Sequence, residues 1–586
     1  MTDITEITRV VGVAPDLIQI EVTSTSMYEG LSHQLEIGSY VEISDDSGST
    51  VVAIVQSYRI KERMQSADGT AVGDAQFIID TQPVGRLEKG EFKRGGKQIT
   101  IPPKHVEIAN TDVLEKIYAS VPEAKRFSFG TLAQENTVRV HVDGDKFFGK
   151  HIGVVGSTGS GKSSTVAKIL QEGILPSGDQ EVRSVLNNSH ILIFDIHGEY
   201  GSAFPKARVI GVNDLRLPYW MMNSEELEEM FIESNELNSH NQVSQFRSAV
   251  IENKRKYAQN GGSAVSYDSP IYFSLKEVIN YLTNLNSEMI SRLPDENLPK
   301  FADGTLVKDR TKHYFEGIQK FVEQSGSASN KANGGPFNGD FNRFLMRLEA
   351  RHTDDRLDFL LAPKKHDGND YLTDDFADII RQFTGYGDDP TNITILDLSG
   401  IPFEVLSVVV SLVTRLIFTF NFHFKKFRKQ EEQQLPFLLV YEEAHNYVPQ
   451  NESAKYGTVK KSIERIAKEG RKYGISLMIV SQRPSEVSET VFSQCNNFVA
   501  MRLTNPADQR YVKRLLPDNL NAITDALPTL EQQEAIIIGD SVSVPSLVRI
   551  DEITDKPDSN DILFRTEWQK DWLEVDIPHV VKLLQE

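Results

Sequence analysis

At 586 residues the chain is long enough for several domains, at roughly 100–200 residues each, and its 39% hydrophobic and 25% charged residues make an ordinary globular balance. That composition excludes a wholly disordered, collagen-like or disulfide-scaffold protein. With 63 Lys and Arg against 83 Asp and Glu, the formal net charge of −20 argues against a general nucleic-acid-coating protein, because phosphate binding needs local cations, and leaves room for a basic patch or a lined pore.

In chain order, residues 1–110 carry short, partly alternating apolar segments at 17–22, 39–43, 51–56 and 76–79. Turn formers separate them (Asp45, Asp46, Ser47 and Gly48; Asp68 and Gly69; Gly95 and Gly96), the pattern of a small all-β barrel or sandwich. The N-terminal MTDITEITRV has no basic start followed by an apolar run, so no signal peptide is expected. Residues 111–150 read as a connector with a short helix near 113–119. From His151 the pattern changes: 152–155 reads as a buried strand, then a glycine-rich turn, then a helix beginning near Lys162. Apolar runs at 191–194, 393–398, 437–441, 475–480, 498–503 and 535–538, several joined through helical patterns, predict a parallel α/β sheet.

Between about 215 and 385 the strands vanish, and 224–233, 243–257, 275–284 and 341–347 read as helices. Residues 325–338, rich in Ser, Gly and Asn, read as a mobile loop. The expectation is one α/β core over 151–214 and 386–555, split by a helical insertion over 215–385. The longest apolar stretch, 405–420, is interrupted by Arg415 and diluted by Ser407, Ser411 and Thr414; a membrane span needs about 20 mostly apolar residues, so a buried helix is expected. The single cysteine, Cys495, allows no intrachain disulfide and fits a reducing compartment. Residues 556–586 form a tail containing Trp568 and Trp572, too short to fold alone and expected to dock on a neighbour. A soluble, cytoplasmic protein without membrane contact is expected.

Gly156, Ser157, Thr158, Gly159, Ser160, Gly161, Lys162 and Ser163 match G-x-x-x-x-G-K-[ST] in full, between a predicted strand and a predicted helix. The glycines let backbone N–H groups curl round a phosphate, and the following helix N-terminus, with Ser164 in its first turn, adds positive potential. Lys162 can reach the β- and γ-phosphates and Ser163 can ligate Mg²⁺, so ATP with Mg²⁺ is the expected ligand. A carboxylate is needed at a nearby strand end, and the run 437–441 is followed by two, Glu442 for the Mg²⁺ shell and Glu443 to polarise the attacking water.

Asp195, His197 and Glu199 follow another strand, at the edge where open α/β sheets bind ligands, and can position water or sense the γ-phosphate; a capped turn is the alternative. Gln482, after the strand 475–480, is a further γ-phosphate reporter or an ordinary strand-end turn. Glu464 and Lys468 are spaced for an i,i+4 pair. Arg465 and Arg471 are candidates to neutralise charge on a transferring phosphoryl group, from the next subunit if need be, with Arg471 favoured because it lies just past the helix end. Basic patches are sparse: Lys425, Lys426, Arg428 and Lys429 end a helix, where the macrodipole favours cations. Lys455, Tyr456, Lys460 and Lys461 are either pore contacts for DNA or a solvated face.

The combination resembles the HerA family of hexameric ATPases, within the wider FtsK-like group. Beside the P-loop, the resemblance rests on 127–132 (FSFGTL), 195–200 (DIHGEY), 397–400 (DLSG), 442–445 (EEAH), 470–474 (GRKYG), 481–484 (SQRP) and 502–506 (RLTNP). It implies an N-terminal HAS barrel, a RecA-like core and a C-terminal segment bracing the adjacent subunit. It further implies a homohexamer that hydrolyses ATP at subunit boundaries and moves double-stranded DNA through a central pore. Relatives of this kind work with an effector, a nuclease or, in bacterial antiphage systems, a sirtuin-type NADase. Two departures stand out: Glu442 where many members carry Asp, and Lys150 before His151 where Arg is expected. The leading expectation is therefore an ATP-driven DNA translocase or helicase. An ATP-binding scaffold that recruits and regulates an effector is the alternative, motivated by the net charge and thin basic signal. A conjugation-type coupling ATPase is disfavoured by the missing N-terminal span, and a small-molecule kinase by the chain length.

Overall fold

The computed structural model describes residues 8–23, 35–44, 50–61, 76–95, 105–174, 186–232, 239–258, 264–294, 296–428, 433–451, 457–515, 521–559 and 562–585. The turn residues Asp45, Asp46, Ser47, Gly48, Asp68, Gly69 and Gly96, and the basic or pore candidates Lys429, Lys455 and Tyr456, lie outside the described residues.

The alternating N-terminal segments form a seven-stranded antiparallel sheet. Its spatial order is Thr8–Val13, Ile18–Val22, Gln76–Glu88, Thr50–Lys61, Tyr40–Ser44, His105–Ile108, with Glu91–Arg94 paired to Gln76–Glu88. Period-two alternation places Ile18, Ile20 and Val22 on one face, where they pack with Val41, Ile43, Val55 and Ile79 in a separate small core. The sheet is tied to the rest of the chain by Tyr40, whose hydroxyl lies 3.3 Å from that of Tyr118, itself 2.7 Å from Ser546 Oγ.

The main sheet has ten strands, in the order Arg208–Ile210, Ile393–Asp397, His190–Asp195, Phe437–Tyr441, Ile475–Ser481, Ile152–Val155, Asn497–Met501, Glu534–Gly539, Ser546–Ile550, Gly130–Leu132. The first seven run parallel; the last three are antiparallel additions. Every residue of His190–Asp195, Phe437–Tyr441 and Ile475–Ser481 is buried, which is why these strands read as unbroken apolar runs rather than alternations. The apolar run 535–538, expected in the parallel sheet, instead lies in the antiparallel strand Glu534–Gly539, and Ser546–Ile550 and Gly130–Leu132, which carry no such run, extend the sheet beyond it.

Residues 215–385 carry the helices Ser224–Phe231, Ser239–Tyr257, Leu275–Ser287, Asn342–His352 and Phe376–Thr384, joined by long irregular segments. Two expectations need correction here. Met289–Ser291 pairs antiparallel with Ala332–Gly334, so strands do not vanish, and part of the supposed loop 325–338 is ordered by that pairing and by the Ser325–Ala332 bridge. The apolar stretch belongs to the helix Phe403–Phe427, which has a mean hydropathy of 1.9 over its most apolar window, 72% of that window being buried inside the protein. Arg415 sits within it because its guanidinium bonds both oxygens of the fully buried Glu226 carboxylate. The tail carries helices Phe564–Trp568 and Ile577–Gln585, with Trp568 78% and Trp572 94% exposed.

Candidate active site

The P-loop leaves the strand Ile152–Val155 between Ile475–Ser481 on one side and Asn497–Met501 on the other. Gly159 and Gly161 take φ of +75° and +91°, left-handed conformations that glycine adopts without strain. Gly156 is needed for space instead, since a Cβ there would lie 2.9 Å from Met501 Cβ and 2.6 Å from Ser160 Oγ. A Cβ on Gly159 would meet nothing within 4 Å, so there the backbone conformation and not space calls for glycine. The helix Lys162–Gly173 starts directly at the lysine. Ser160 Oγ and Thr165 Oγ1 are buried without hydrogen-bond partners among the described residues. A helix N-terminus behind a glycine-rich turn and hydroxyls without partners fit a bound polyphosphate.

Lys162 Nζ lies 3.6 Å from Glu443 Oε1, both side chains buried. Glu443 has φ 48° and ψ 52°, the left-handed region, which turns its carboxylate back from the strand end toward the loop. Its Oε2 lies 3.2 Å from His445 Nδ1 and accepts the Gln482 backbone N–H at 3.3 Å. Burial raises the Glu443 pKa, but His445 and Lys162 overcome that, and the net position is below the ordinary carboxylate value. The group is therefore ionised and suited to accept a proton. Gln482 Oε1 accepts from Thr158 Oγ1 at 2.6 Å, so Gln482 joins the loop to the glutamate.

Ser163 Oγ donates to Glu199 Oε2 at 3.2 Å. These hard oxygens next to the phosphate crook fit a Mg²⁺ site. Glu442 is held differently: Tyr200 Oη donates to its Oε2 at 2.8 Å, and burial pushes its pKa up to about 8, with Lys162 opposing and the Glu443 charge adding to the rise. Asp195 is placed as the capped-turn alternative has it. Its carboxylate accepts the backbone N–H groups of His197, Gly198 and Tyr200 at 3.3, 3.0 and 2.9 Å and is fully buried, so it holds the turn. His197 is exposed, while Glu199 reaches the P-loop.

Arg471 is not in this cluster. It precedes Ile475–Ser481, whereas Gln482 follows it, so the two lie at opposite ends of a strand about 20 Å long. Its Nη1 donates to Asn496 Oδ1 at 3.0 Å, and it lines a cavity of about 970 Å³ with Phe127, Phe148 and Phe437. Arg465 stacks over Phe418 at 4.6 Å, and its partner is Glu469; Glu464 accepts from Ser488 rather than meeting Lys468. Lys461 pairs with Glu225 at 2.9 Å and Lys460 reaches the Gln450 carbonyl. Lys425 and Lys426, at the end of the long helix, lie over the rings of Tyr473 and Phe422.

Three participants have no assigned role in the sequence reading. Tyr200 and His445 sit inside segments 195–200 and 442–445, so the i+2 spacing of His445 from Glu443 was a usable signal. Thr504 hydrogen-bonds the Ser157 side chain, a contact across 347 residues that no local pattern announces.

A family model described as "Helicase HerA, central domain" matches residues 127–417. The DNA double-strand break repair helicase HerA of Sulfolobus acidocaldarius is 26% identical over 425 residues, 72% of this chain and 68% of that protein. The probable DNA double-strand break repair helicase HerA of Methanocaldococcus jannaschii is 23% identical across 94% of this chain and 98% of its own length. The DNA double-strand break repair helicase HerA of Pyrococcus furiosus is 25% identical, covering 82% and 79%. Among solved structures, VirB4 of Thermoanaerobacter pseudethanolicus aligns over 74% of this chain and 98% of its own, at 12% identity and TM-score 0.44.

Proposed function

The chain belongs to the HerA helicase family and is an ATP-hydrolysing enzyme, and from that premise we propose that it is a ring-forming DNA translocase powered at the P-loop. The observation that carries this reading is the 3.6 Å approach of Lys162 to Glu443, which joins the phosphate loop to a strand-end carboxylate. Lys162, Ser163 and the backbone from Gly156 to Gly161 bind and orient the triphosphate. Glu443 takes the proton from the attacking water, and His445 and the Gln482 amide keep its carboxylate ionised and aimed. Ser163 and Glu199, with Glu442 behind them, would hold a Mg²⁺ ion, which would supply charge neutralisation for phosphoryl transfer. Tyr200 holds the Glu442 carboxylate in place.

In this reading the assembly is a homohexamer in the cytoplasm, with double-stranded DNA in its pore and an effector, a nuclease or a sirtuin-type NADase, as partner. The N-terminal antiparallel sheet is the HAS-type barrel, and Arg471, remote from its own P-loop, serves the neighbour's nucleotide. The exposed apolar side chains of the tail, from Ile562 to Val581, support its role as a brace between subunits. The test is ATP hydrolysis with and without duplex DNA, alongside a triplex-displacement assay. DNA-stimulated turnover and strand displacement, both lost in Lys162→Ala, are expected. ATPase activity indifferent to DNA, with no displacement, refutes the motor reading.

A further inference from the structure

Among the described residues, four other than glycine hold positive φ: Lys89, Asn297, Glu443 and Gln533. Lys89 and Asn297 lie outside the site. The other two flank the P-loop, one on each side. Glu443 comes from the strand-end beyond Ile475–Ser481; Gln533, φ 66°, directly precedes Glu534–Gly539, on the Asn497–Met501 side. Non-glycine residues in this region are uncommon and cost of order 1–3 kcal/mol, so surrounding contacts must impose them. For Gln533 those contacts are visible. Its N–H donates to the Ser160 carbonyl at 3.2 Å, and its own carbonyl accepts from Ile550 N at 2.9 Å. Its Cγ lies 3.6 Å from where a Cβ on Gly161 would sit, so the side chain rests against the phosphate loop. The carboxamide has no hydrogen-bond partner among the described residues.

The direction of the nucleotide follows from the sheet order. Glu443 and Gln482 belong to the terminal-phosphate end, on the Ile475–Ser481 side of the P-loop strand. A phosphate chain running on past Lys162 and Gly161 would bring the sugar and base to the other side, where Arg502, Thr504 and Gln533 contact the loop. Arg502 and Thr504 are engaged with Ser157: the Arg502 carbonyl accepts Ser157 N–H at 2.8 Å, and Thr504 bonds its hydroxyl. Gln533 alone of the three presents a free donor and acceptor together.

We propose that Gln533 is the specificity-determining residue of the nucleotide site, its carboxamide pairing with the base edge of adenine. A glutamine amide matches the adenine N6 donor and an adjacent ring-nitrogen acceptor, and a guanine presents the opposite polarity at that exocyclic position. This rests on the P-loop being the ATP site, and the experiment separates the two. The full-length chain is titrated with ADP, GDP and inorganic pyrophosphate, in wild type, Gln533→Gly and Lys162→Ala. Glycine keeps the left-handed backbone and removes only the side chain. The expected result is wild-type preference for ADP over GDP that falls by roughly tenfold in Gln533→Gly, since a bidentate amide pair discriminates by about that much or more. Pyrophosphate affinity should be unchanged in that variant and lost in Lys162→Ala. An unchanged ADP-to-GDP ratio, an equal loss for all three ligands, or a wild type indifferent to the base overturns this assignment alone. No ADP or pyrophosphate binding by the wild type overturns it together with the nucleotide site.

Discussion

Glu443 holds a backbone conformation costing of order 1 kcal/mol or more for any residue with a Cβ, and three groups keep it there: Lys162, His445 and the Gln482 amide. Strain of this kind is justified by what it aims. Glu443→Gln keeps the shape and removes the base, so turnover should fall by about 10² or more while ADP affinity is retained; phosphate release and calorimetry read the two separately. His151, just before the P-loop strand, makes a different prediction. It is fully buried, its Nε2 lies 2.9 Å from the Ala467 carbonyl, and its Nδ1 accepts from Leu477 N at 3.0 Å. Burial, helped by Arg471, lowers its pKa to about 4. A base with a depressed folded pKa binds fewer protons folded than unfolded between the two values, so stability rises with pH across that window. Stability should therefore be lost as pH falls from about 6.5 to about 4, by up to roughly 3 kcal/mol. His151→Gln, which offers a donor and an acceptor without titrating, should flatten that part of the curve in denaturant melts at stepped pH.

At the scale of elements, the insertion helix Ser224–Phe231 is the junction. Asn223 and Glu226 form its capping box, which satisfies the first backbone amides. Its four glutamates then reach three other helices: Glu225 to Lys461, Glu226 to Arg415 and Ser411, Glu228 to Arg247, and Glu229 to Ser407 and Thr458. Lys461 and Thr458 belong to the helix Gly457–Glu469, downstream of Glu443, so the insertion is fastened to the catalytic half of the core. These bonds differ in worth. Glu226 is fully buried and paired, and Glu226→Ala leaves Arg415 uncompensated, a loss of about 3 kcal/mol in denaturant unfolding. Glu225 and Lys461 are both more than half exposed, and Glu225→Ala should change stability by less than about 1 kcal/mol. Equal effects in the two variants count against this ranking.

On the scale of the whole molecule, the tail leaves a run of apolar side chains in solvent: Leu563, Phe564, Trp568, Trp572 and Leu573 are all more than 60% exposed, the kind of surface that marks an interaction site. The chain crosses the nucleotide site on its way there, with Asp558 N donating to the Glu199 carbonyl and Ser202 bonding the Lys556 carbonyl. Deleting residues 559–586 keeps those contacts and removes the exposed side chains. The truncated chain should stay folded by circular dichroism yet shift to smaller species in native mass measurement. Assembly unaffected by the deletion rules out a bracing tail. The P-loop, the paired glutamates, the buried strands and the long helix were legible in residue order, because each depends on neighbours within a few positions: glycines at a turn, a lysine opening a helix, an apolar run with acids at its end. The strands Arg208–Ile210, Ser546–Ile550 and Gly130–Leu132 were not, since short segments are held by partners far along the chain. The same reason hides the Tyr200 bond to Glu442 and Gln533 against Gly161. Local chemistry can be read from spacing alone, whereas which carboxylate faces a phosphate and which faces a backbone amide depends on long-range packing of the sheet.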